Sequence, residues 1–533
     1  MSLLKNFATV GAGTASSRIL GFVRDMFIAA ALGTGPVAEA YFVAQRIPNL
    51  FRRLFAEGAF ASAFVPLFTK LHESEGNEAA RKFAEEALAG LAAALLAFTI
   101  IAEIAMVALT YALAPGFAAD PAKFDLTVLL SRIAFPYLFL ISITTLLSGA
   151  LNGLGRFVAA AFSQTLLNAI LIAALVFVYV SGEVGSVRAG VLLTASVIVG
   201  GIIQLAFLFY ACHRAKISLV PRLPRWTEGV RRLTRLAGPS VVAGGIVQIN
   251  IVVGTIVASL EPGAVSWLYY ADRLYQLPLG IVGIAIGIVL LPDLARALRA
   301  GREADANHAQ NRSFEFAAAL TLPAAVALFV IPGPIITVLF ERGAFTAADT
   351  AATAPALAAY AAGLPAFVAI KVLQPAYFAR EDTRTPMWYG GVSMLVNVAG
   401  AFLLFYFFGH VGIATATTLS AWVNTVLLAW TLHRRGHVSA DAVLKRRLPL
   451  LGIASLLMGG GLYLTARVLE SYVANPHLSV QVAVLAILVA LGFLLFTLFS
   501  QLTGAMDLRR LVRGVLSSGV RDQKSAIRKG SRS

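Results

Sequence analysis

Eight basic residues lie inside stretches that otherwise read as membrane-spanning helices: Arg18, Arg24, Arg46, Arg52, Arg53, Arg132, Arg273 and Lys371. Five of them fall in the first two stretches, near residues 6–33 and 37–66. An arginine at the bilayer centre costs roughly 2.5–3.5 kcal/mol even on the lenient insertion scale, so several together approach the roughly 5–15 kcal/mol that keeps an ordinary domain folded. Hydrocarbon is therefore excluded as their neighbour. Such residues line a water-filled cavity or face partners inside a bundle, and a basic cavity at membrane depth points to an anionic cargo.

Their spacing places them on common faces. At about 100° per residue, Thr14, Ser17, Arg18, Gly21, Arg24 and Asp25 share one arc of the first helix. In the second, Glu39, Arg46, Arg53 and Glu57 are nearly in phase, with Pro48 between them as either a hinge or a static kink. Two uses fit this pattern. Arg24 with Asp25, Glu39 with Arg46, and Asp272 with Arg273 would be buried pairs of structural value. Yet the acids Asp25, Glu39, Glu57, Glu103, Asp272 and Glu315 leave the eight bases in excess by two. That excess suits phosphate or pyrophosphate, which guanidinium groups grip bidentately. Arg132 and Lys371 lie near span ends, where snorkelling or pairing accounts for them.

Composition identifies what positions these residues. The chain has 533 residues, 58% of them hydrophobic and 13% charged, with a mean hydropathy of +0.79, which no soluble domain of this size approaches. The fold class is an all-α polytopic membrane protein. A net charge of +16 would fit nucleic acid only if it were gathered on one soluble face, whereas here it is spread among loops between apolar runs. One cysteine, Cys212, excludes an internal disulfide. His433 and His437 share an i,i+4 spacing but sit in a basic loop, so no metal site is expected. No phosphate-binding glycine loop and no nucleophile–base pair in a recognisable context is present, and Asn152-Gly153-Leu154-Gly155-Arg156 reads as an interhelical turn.

Runs of about 20 apolar residues predict fourteen transmembrane helices. Arg18 and Arg24 interrupt any signal-peptide core, so the first run is expected to be one of the fourteen. The loops on the side of the N-terminus, with the C-terminal tail, carry 31 Lys and Arg against four on the other side, Lys123, Arg188, Arg342 and Arg467. This asymmetry predicts that both termini are cytoplasmic. Motifs recur at an offset of about 227 residues: Ala44-Gln45-Arg46-Ile47 with Ala271-Asp272-Arg273-Leu274, and Gly182-Glu183-Val184-Gly185 with Gly409-His410-Val411-Gly412. Asn168 and Asn397 lie near the same offset. Six spans per unit give two repeats in parallel orientation, followed by two further helices. The expected organisation is an N-lobe (1–214, spans 1–6), a C-lobe (215–436, spans 7–12), a region of spans 13 and 14 (437–505) and a basic cytoplasmic tail (506–533). Facing lobes with a central site make an alternating-access transporter.

The run Ser17-Arg18-Ile19-Leu20-Gly21-Phe22-Val23-Arg24-Asp25, then Gln45-Arg46-Ile47-Pro48-Asn49-Leu50-Phe51-Arg52, then Glu57-Gly58-Ala59-Phe60 through Ala63-Phe64-Val65-Pro66, resembles the signature of the MurJ/MviN lipid II flippases of the multidrug/oligosaccharidyl-lipid/polysaccharide exporter superfamily. Tyr270-Ala271-Asp272-Arg273-Leu274-Tyr275-Gln276 and Leu339-Phe340-Glu341-Arg342-Gly343-Ala344-Phe345 extend it, and the likeness runs from about residue 4 to about 505. Where the family usually has Ala-Asp-Ala-Phe, this chain has Ala38-Glu39-Ala40-Tyr41, which keeps the carboxylate.

The resemblance implies a cargo: the undecaprenyl-pyrophosphate-linked disaccharide-pentapeptide precursor of peptidoglycan, moved from the cytoplasmic to the periplasmic leaflet of a bacterial inner membrane. It implies cargo contacts at Arg18, Arg24, Arg273, Arg52, Asn49 and Ser17, with Asp25, Glu39, Glu57, Asp272, Arg46 and Arg53 as charge partners or gating residues. It also implies a groove for the polyprenyl tail at spans 13 and 14. Some family members have a sodium site among spans 7, 11 and 12. Here Gln248, Asn250, Asn397, Thr415 and Thr417 offer no carboxylate, so no cofactor is assigned and ion coupling is left open. Membrane lipids and the lipid-linked glycopeptide are the expected partners of a monomer, with no nucleic acid. A diphosphate of about two negative charges leaving a negative interior is favoured by roughly 2.3 kcal/mol per charge per 100 mV, which makes membrane potential a driver.

Two other functions share parts of this pattern. A drug/cation antiporter of the same superfamily would present carboxylates to its cargo, and a membrane-embedded glycan polymerase would need a catalytic acid in a sizeable periplasmic loop. The charge asymmetry gives a direct test. In a chain with Cys212 replaced, cysteines at Ser186 and Ala474 are expected to react with an impermeant thiol reagent added outside sealed cells, and one at Ala304 is not. Labelling at Ala304 would reverse the orientation.

Overall fold

A computed structural model describes residues 3–53, 60–217, 219–220, 222–475 and 477–505. Among them no strand occurs. The helices are α1 (Leu3–Leu32), α2 (Pro36–Arg52), α3 (Ala61–Ile104), α4 (Met106–Leu113), α5 (Pro121–Ala134), α6 (Tyr137–Gly153), α7 (Phe157–Val180), α8 (Val187–Arg214) and α9 (Glu228–Ala258). They continue as α10 (Ala264–Arg299), α11 (Glu303–Val330), α12 (Pro332–Phe340), α13 (Ala347–Phe378), α14 (Arg384–Phe408), α15 (His410–Arg434), α16 (Ala442–Val468), α17 (Glu470–Val473) and α18 (Leu478–Leu502).

Ten helical segments among the described residues are long and apolar enough to cross a membrane, which makes the chain a multi-pass membrane protein. The other four of the fourteen expected stretches are helical as α1, α2, α9 and α10. Three of these four carry basic residues within the expected spans: α1 has Arg18 and Arg24, α2 has Arg46 and Arg52, and α10 has Arg273. The second expected stretch, 37–66, is not one continuous described helix, because α2 ends at Arg52 and α3 begins at Ala61. Glu57 lies between them, outside the described residues. Helix α3 breaks at Gly76, whose φ of 85° lies in the left-handed region that favours glycine.

The chain divides into two compact units. The first comprises Met1–Arg273, Leu339–Ala356 and Met394–Ala416, and the second Leu274–Val338, Leu357–Ser393 and Thr417–Ser533. In the first, α1 packs on α7, α7 on α8, α2 on α5 and α3 on α6. Lipid-soluble helices gain little from hydrophobicity alone when they associate, so close approach through small residues matters more. A Cβ at Gly13 would lie 2.9 Å from that of Ala161 on α7, and one at Gly190 would lie 2.9 Å from a Val37 methyl group. In the second unit α11, α16 and α18 pack together, with Leu451, Met458, Leu462 and Leu488 buried and Gly459 fitted against Val326.

Within the first unit, the C-terminal end of α1 is capped by segments remote in sequence. The last carbonyls of a helix have no partner within it. Here Ala344 N–H donates to the Ala30 carbonyl at 2.8 Å, Gly185 N–H to that of Ala31 at 2.8 Å, and the Tyr270 hydroxyl to that of Gly33 at 2.8 Å. Both approaching turns need glycine: Gly33 (φ 63°) and Gly343 (φ 60°) would place a Cβ 2.4 Å from the Ala344 oxygen and 2.2 Å from the Ala30 oxygen. Thr34 donates to Asp349, which also accepts from Thr346 N–H at 2.8 Å in a capping arrangement that starts α13. Nearby, His410 donates its backbone N–H to Glu261 at 2.7 Å, and its ring nitrogens reach Glu261 at 2.9 Å and the Ala352 carbonyl at 2.8 Å. Burial pushes the Glu261 carboxyl up, but these bonds from His410 outweigh it and hold it below its ordinary value.

Gly343→Ala is expected to destabilise the protein by about 2–4 kcal/mol, combining left-handed strain with overpacking against a backbone oxygen. Gly301→Ala, at φ 68° but with nothing within 4 Å of the new Cβ, carries only the first penalty. Thermal unfolding in detergent measures both, and equal losses would show that the contact at Ala30 is not tight.

Candidate functional site

The site grows from one carboxylate. Asp25, on the polar face of α1, has a side chain only 3% exposed. A carboxylate buried to that degree must be paired and hydrogen-bonded. Its Oδ1 accepts from Arg24 Nη2 at 2.7 Å, from Arg24 Nε at 3.1 Å and from the Tyr269 hydroxyl at 3.2 Å. Its Oδ2 faces Arg273 Nε at 3.7 Å. Residues from the first helix and from α10, 248 positions apart, thus meet on one acid.

Tyr269 organises the α10 side. Its ring stacks on Phe42 of α2, with centroids 3.9 Å apart, and the Arg273 guanidinium lies 4.7 Å from its centroid. Cation–π contact and the attraction of Asp25 together hold Arg273 without closing its fork on any one carboxylate. Arg24 is 22% exposed and Arg273 35%, so both heads are held by protein on one side and open on the other. Two guanidinium groups share one buried acid, and Asp272 adds a second negative charge beside Arg273.

The second buried acid behaves differently. Glu39, expected to pair with Arg46, instead accepts from the Lys123 ammonium and from Val265 N–H at 3.3 Å. Arg46 is seven residues along α2 from Glu39, two helical turns away, whereas the first turn of α5 packs beside α2 and delivers Lys123 directly. Lys123 also lies 3.7 Å from the Phe117 ring centroid. Both side chains are almost wholly buried. Arg46 turns to Thr255 Oγ1 on α9. Arg273, expected to pair with Asp272, also reaches Asp25 on α1, while the Asp272 charge acts on it from the neighbouring position.

Arg52 and Asn49 form a local pair: Arg52 Nε donates to Asn49 Oδ1 at 3.0 Å, while Asn49 Nδ2 donates to the Gln45 carbonyl at 2.7 Å. That amide sits one residue beyond Pro48, where the backbone ladder of α2 has lost a donor. Arg53 is exposed at the end of α2, and Arg18 is exposed on α1. Ser17 enters through its carbonyl, which accepts from Asn168 Nδ2 at 3.0 Å. Asn168 Oδ1 in turn accepts from Arg24 Nη1 at 2.9 Å. Arg132 and Lys371 are exposed and take no part in this cluster.

Sequence reasoning missed Lys123, Tyr269 and Thr255, and read Asn168 only as a mark of the repeat. Asn168 carried a usable signal, an amide in the otherwise apolar run of α7; Lys123 read as an ordinary loop lysine. Among the described residues no cluster of His, Cys, Asp and Glu could hold a metal ion. Of the polar residues noted on spans 7, 11 and 12, Asn250 and Asn397 have Oδ1 atoms buried without a hydrogen-bond partner.

Known proteins resemble this chain in sequence and in fold. The family model described as lipid II flippase MurJ matches residues 28–500. A probable lipid II flippase MurJ of Rhizobium tropici is 46% identical over 517 residues, covering 97% of each chain. Another, of Rhizobium meliloti strain 1021, is 52% identical over 464 residues, 87% of this chain and 86% of that one. In fold, the chain is similar to a solved lipid II flippase MurJ in an inward closed conformation, with a TM-score of 0.77, 24% identity and coverage of 94% of this chain and 99% of that one.

The Lys123–Glu39 pair gives a stability test. Lys123→Met leaves a buried carboxylate without its cation and is expected to cost about 3–5 kcal/mol, and Glu39→Gln combined with Lys123→Met should restore much of it. Thermal unfolding of the purified variants decides. A double variant no more stable than Lys123→Met would mean that the ion pair is not what holds α2 to α5.

Proposed function

We infer that this chain, which belongs to the lipid II flippase MurJ family, moves lipid II, the undecaprenyl-pyrophosphate-linked disaccharide-pentapeptide, across the bacterial inner membrane from the cytoplasmic to the periplasmic leaflet. The observation that carries this reading is the sharing of Asp25 by Arg24 and Arg273. Partly open guanidinium heads with one acid between them are a receptor for an anion with more than one phosphate. A drug/cation antiporter would need the opposite balance.

In this reading Arg24 and Arg273 take the pyrophosphate, and Arg18 and Ser17 extend the same face of α1. Arg52 with Asn49 meets the cargo at the cytoplasmic end of α2. Asp25, Glu39, Glu57, Asp272, Arg46 and Arg53 set the charge balance and the gating. Fourteen spans with both termini cytoplasmic put the C-terminal end of α1 at the periplasmic side, so the glycine-lined contacts there close the first unit towards the periplasm. Lobes 1–214 and 215–436 alternate around the site, spans 13 and 14 within 437–505 hold the polyprenyl tail, and the monomer needs no cofactor. Membrane potential favours outward movement of the diphosphate.

Depletion of the protein in cells carrying labelled precursor tests the reading. Precursor is expected to accumulate in the cytoplasmic leaflet, where an external enzyme cannot reach it. Normal sidedness with blocked polymerisation would assign the chain to glycan assembly instead.

A further inference from the structure

Asn168 sits on α7, 6% exposed, in a run whose neighbours Leu167, Leu171 and Leu175 are core residues. An amide in such surroundings is costly unless both of its ends are satisfied. Both are, and by partners that fix its orientation. Arg24 Nη1 can only donate, so it meets Oδ1 at 2.9 Å; the Ser17 carbonyl can only accept, so it meets Nδ2 at 3.0 Å. Rotating the amide by half a turn would break both bonds.

The consequence falls on Arg24. A guanidinium has five N–H donors. Three are engaged, Nε and one of Nη2 by Asp25 and one of Nη1 by Asn168, which leaves one free donor on each terminal nitrogen. Asp25 alone would let the head swing about its side chain. A second anchor on another helix removes that freedom and presents the remaining two donors in a set direction.

The duplication provides an internal contrast. The offsets of 227 and 229 residues place Ile251 or Val253 opposite Arg24, so the second repeat has no guanidinium there. Its counterpart amide, Asn397, has a buried Oδ1 with no hydrogen-bond partner. The bridged amide belongs to the half of the chain that carries the arginine.

We propose that Asn168 is a positioning residue for cargo recognition: by bridging Arg24 to the Ser17 carbonyl, it aims the two free donors of Arg24 at one phosphate of a polyprenyl diphosphate whose other phosphate meets Arg273. This rests on the reading of the site given above. Without the bridge, Arg24 is held by Asp25 alone and its free donors lose their set direction, so a diphosphate is gripped less well at one of its two phosphates, while a polyprenyl monophosphate can still be held by Arg273. Asn168 therefore sets the preference for diphosphate over monophosphate.

The test uses the full-length protein in nanodiscs, with undecaprenyl diphosphate and undecaprenyl monophosphate as probes and dissociation constants measured for each. Asn168→Leu, close to the amide in size, is expected to weaken diphosphate binding about tenfold and monophosphate binding less than threefold. The ratio of the two constants reports on folded molecules only, so a partly unfolded preparation does not mask the result. If Asn168→Leu does not fold, Asn168→Ser removes the bridge with a smaller side chain and is expected to shift the ratio in the same direction. Arg24→Gln is the reference. If it lowers the ratio and the Asn168 variants do not, the positioning role falls while the cargo assignment stands. If Arg24→Gln leaves both affinities unchanged, the assignment of Arg24 to the cargo falls, and the role of Asn168 with it. Equal weakening for both probes in the Asn168 variants would mean that the amide only packs α7 against α1.

Discussion

The first unit is built around a carboxylate that cannot be left alone. Asp25 is buried on a helix that must also pass through apolar surroundings, and an isolated ion there would lose several kcal/mol of solvation. Arg24, Tyr269 and Arg273 answer that need from two helices, and Asn168 steadies Arg24 from a third. Asp25 is thus satisfied by two guanidinium groups that it does not fully cover, since both stay partly exposed.

A parallel logic separates the site from its supports. Lys123 and Glu39 are balanced one to one and almost completely buried, so their charges are spent on each other. Arg24 and Arg273 meet on Asp25 but stay partly open, so their remaining donors are accessible. Exposure, more than residue type, distinguishes these two arrangements.

The class of fold was legible in the sequence because hydropathy over about 20 residues integrates many side chains, and local errors average out. The polar face of α1 was legible for a similar reason, since Ser17, Arg18, Arg24 and Asp25 repeat with the helical period. Partner choice was legible only in part: Arg24 pairs with Asp25 as expected, but Glu39 meets Lys123, 84 residues away, and Asp25 also meets Arg273. Which helix packs against which decides such pairs, and a single sequence carries that only through weak cues such as small residues and buried amides.

The cap on α1 has a consequence for how that end separates. The carbonyls of Ala30, Ala31 and Gly33 trade their helix partners for Ala344, Gly185 and Tyr270, and glycines leave no side chain to follow the parting surfaces. Each carbonyl stripped of its donor in a dry setting would cost a kcal/mol or more, roughly 1–3 on mutational scales. Pulling the segments apart is therefore unfavourable until water arrives to replace each lost donor. These contacts thus act as a seal made of backbone, in which each donor lost would have to be matched by a water molecule.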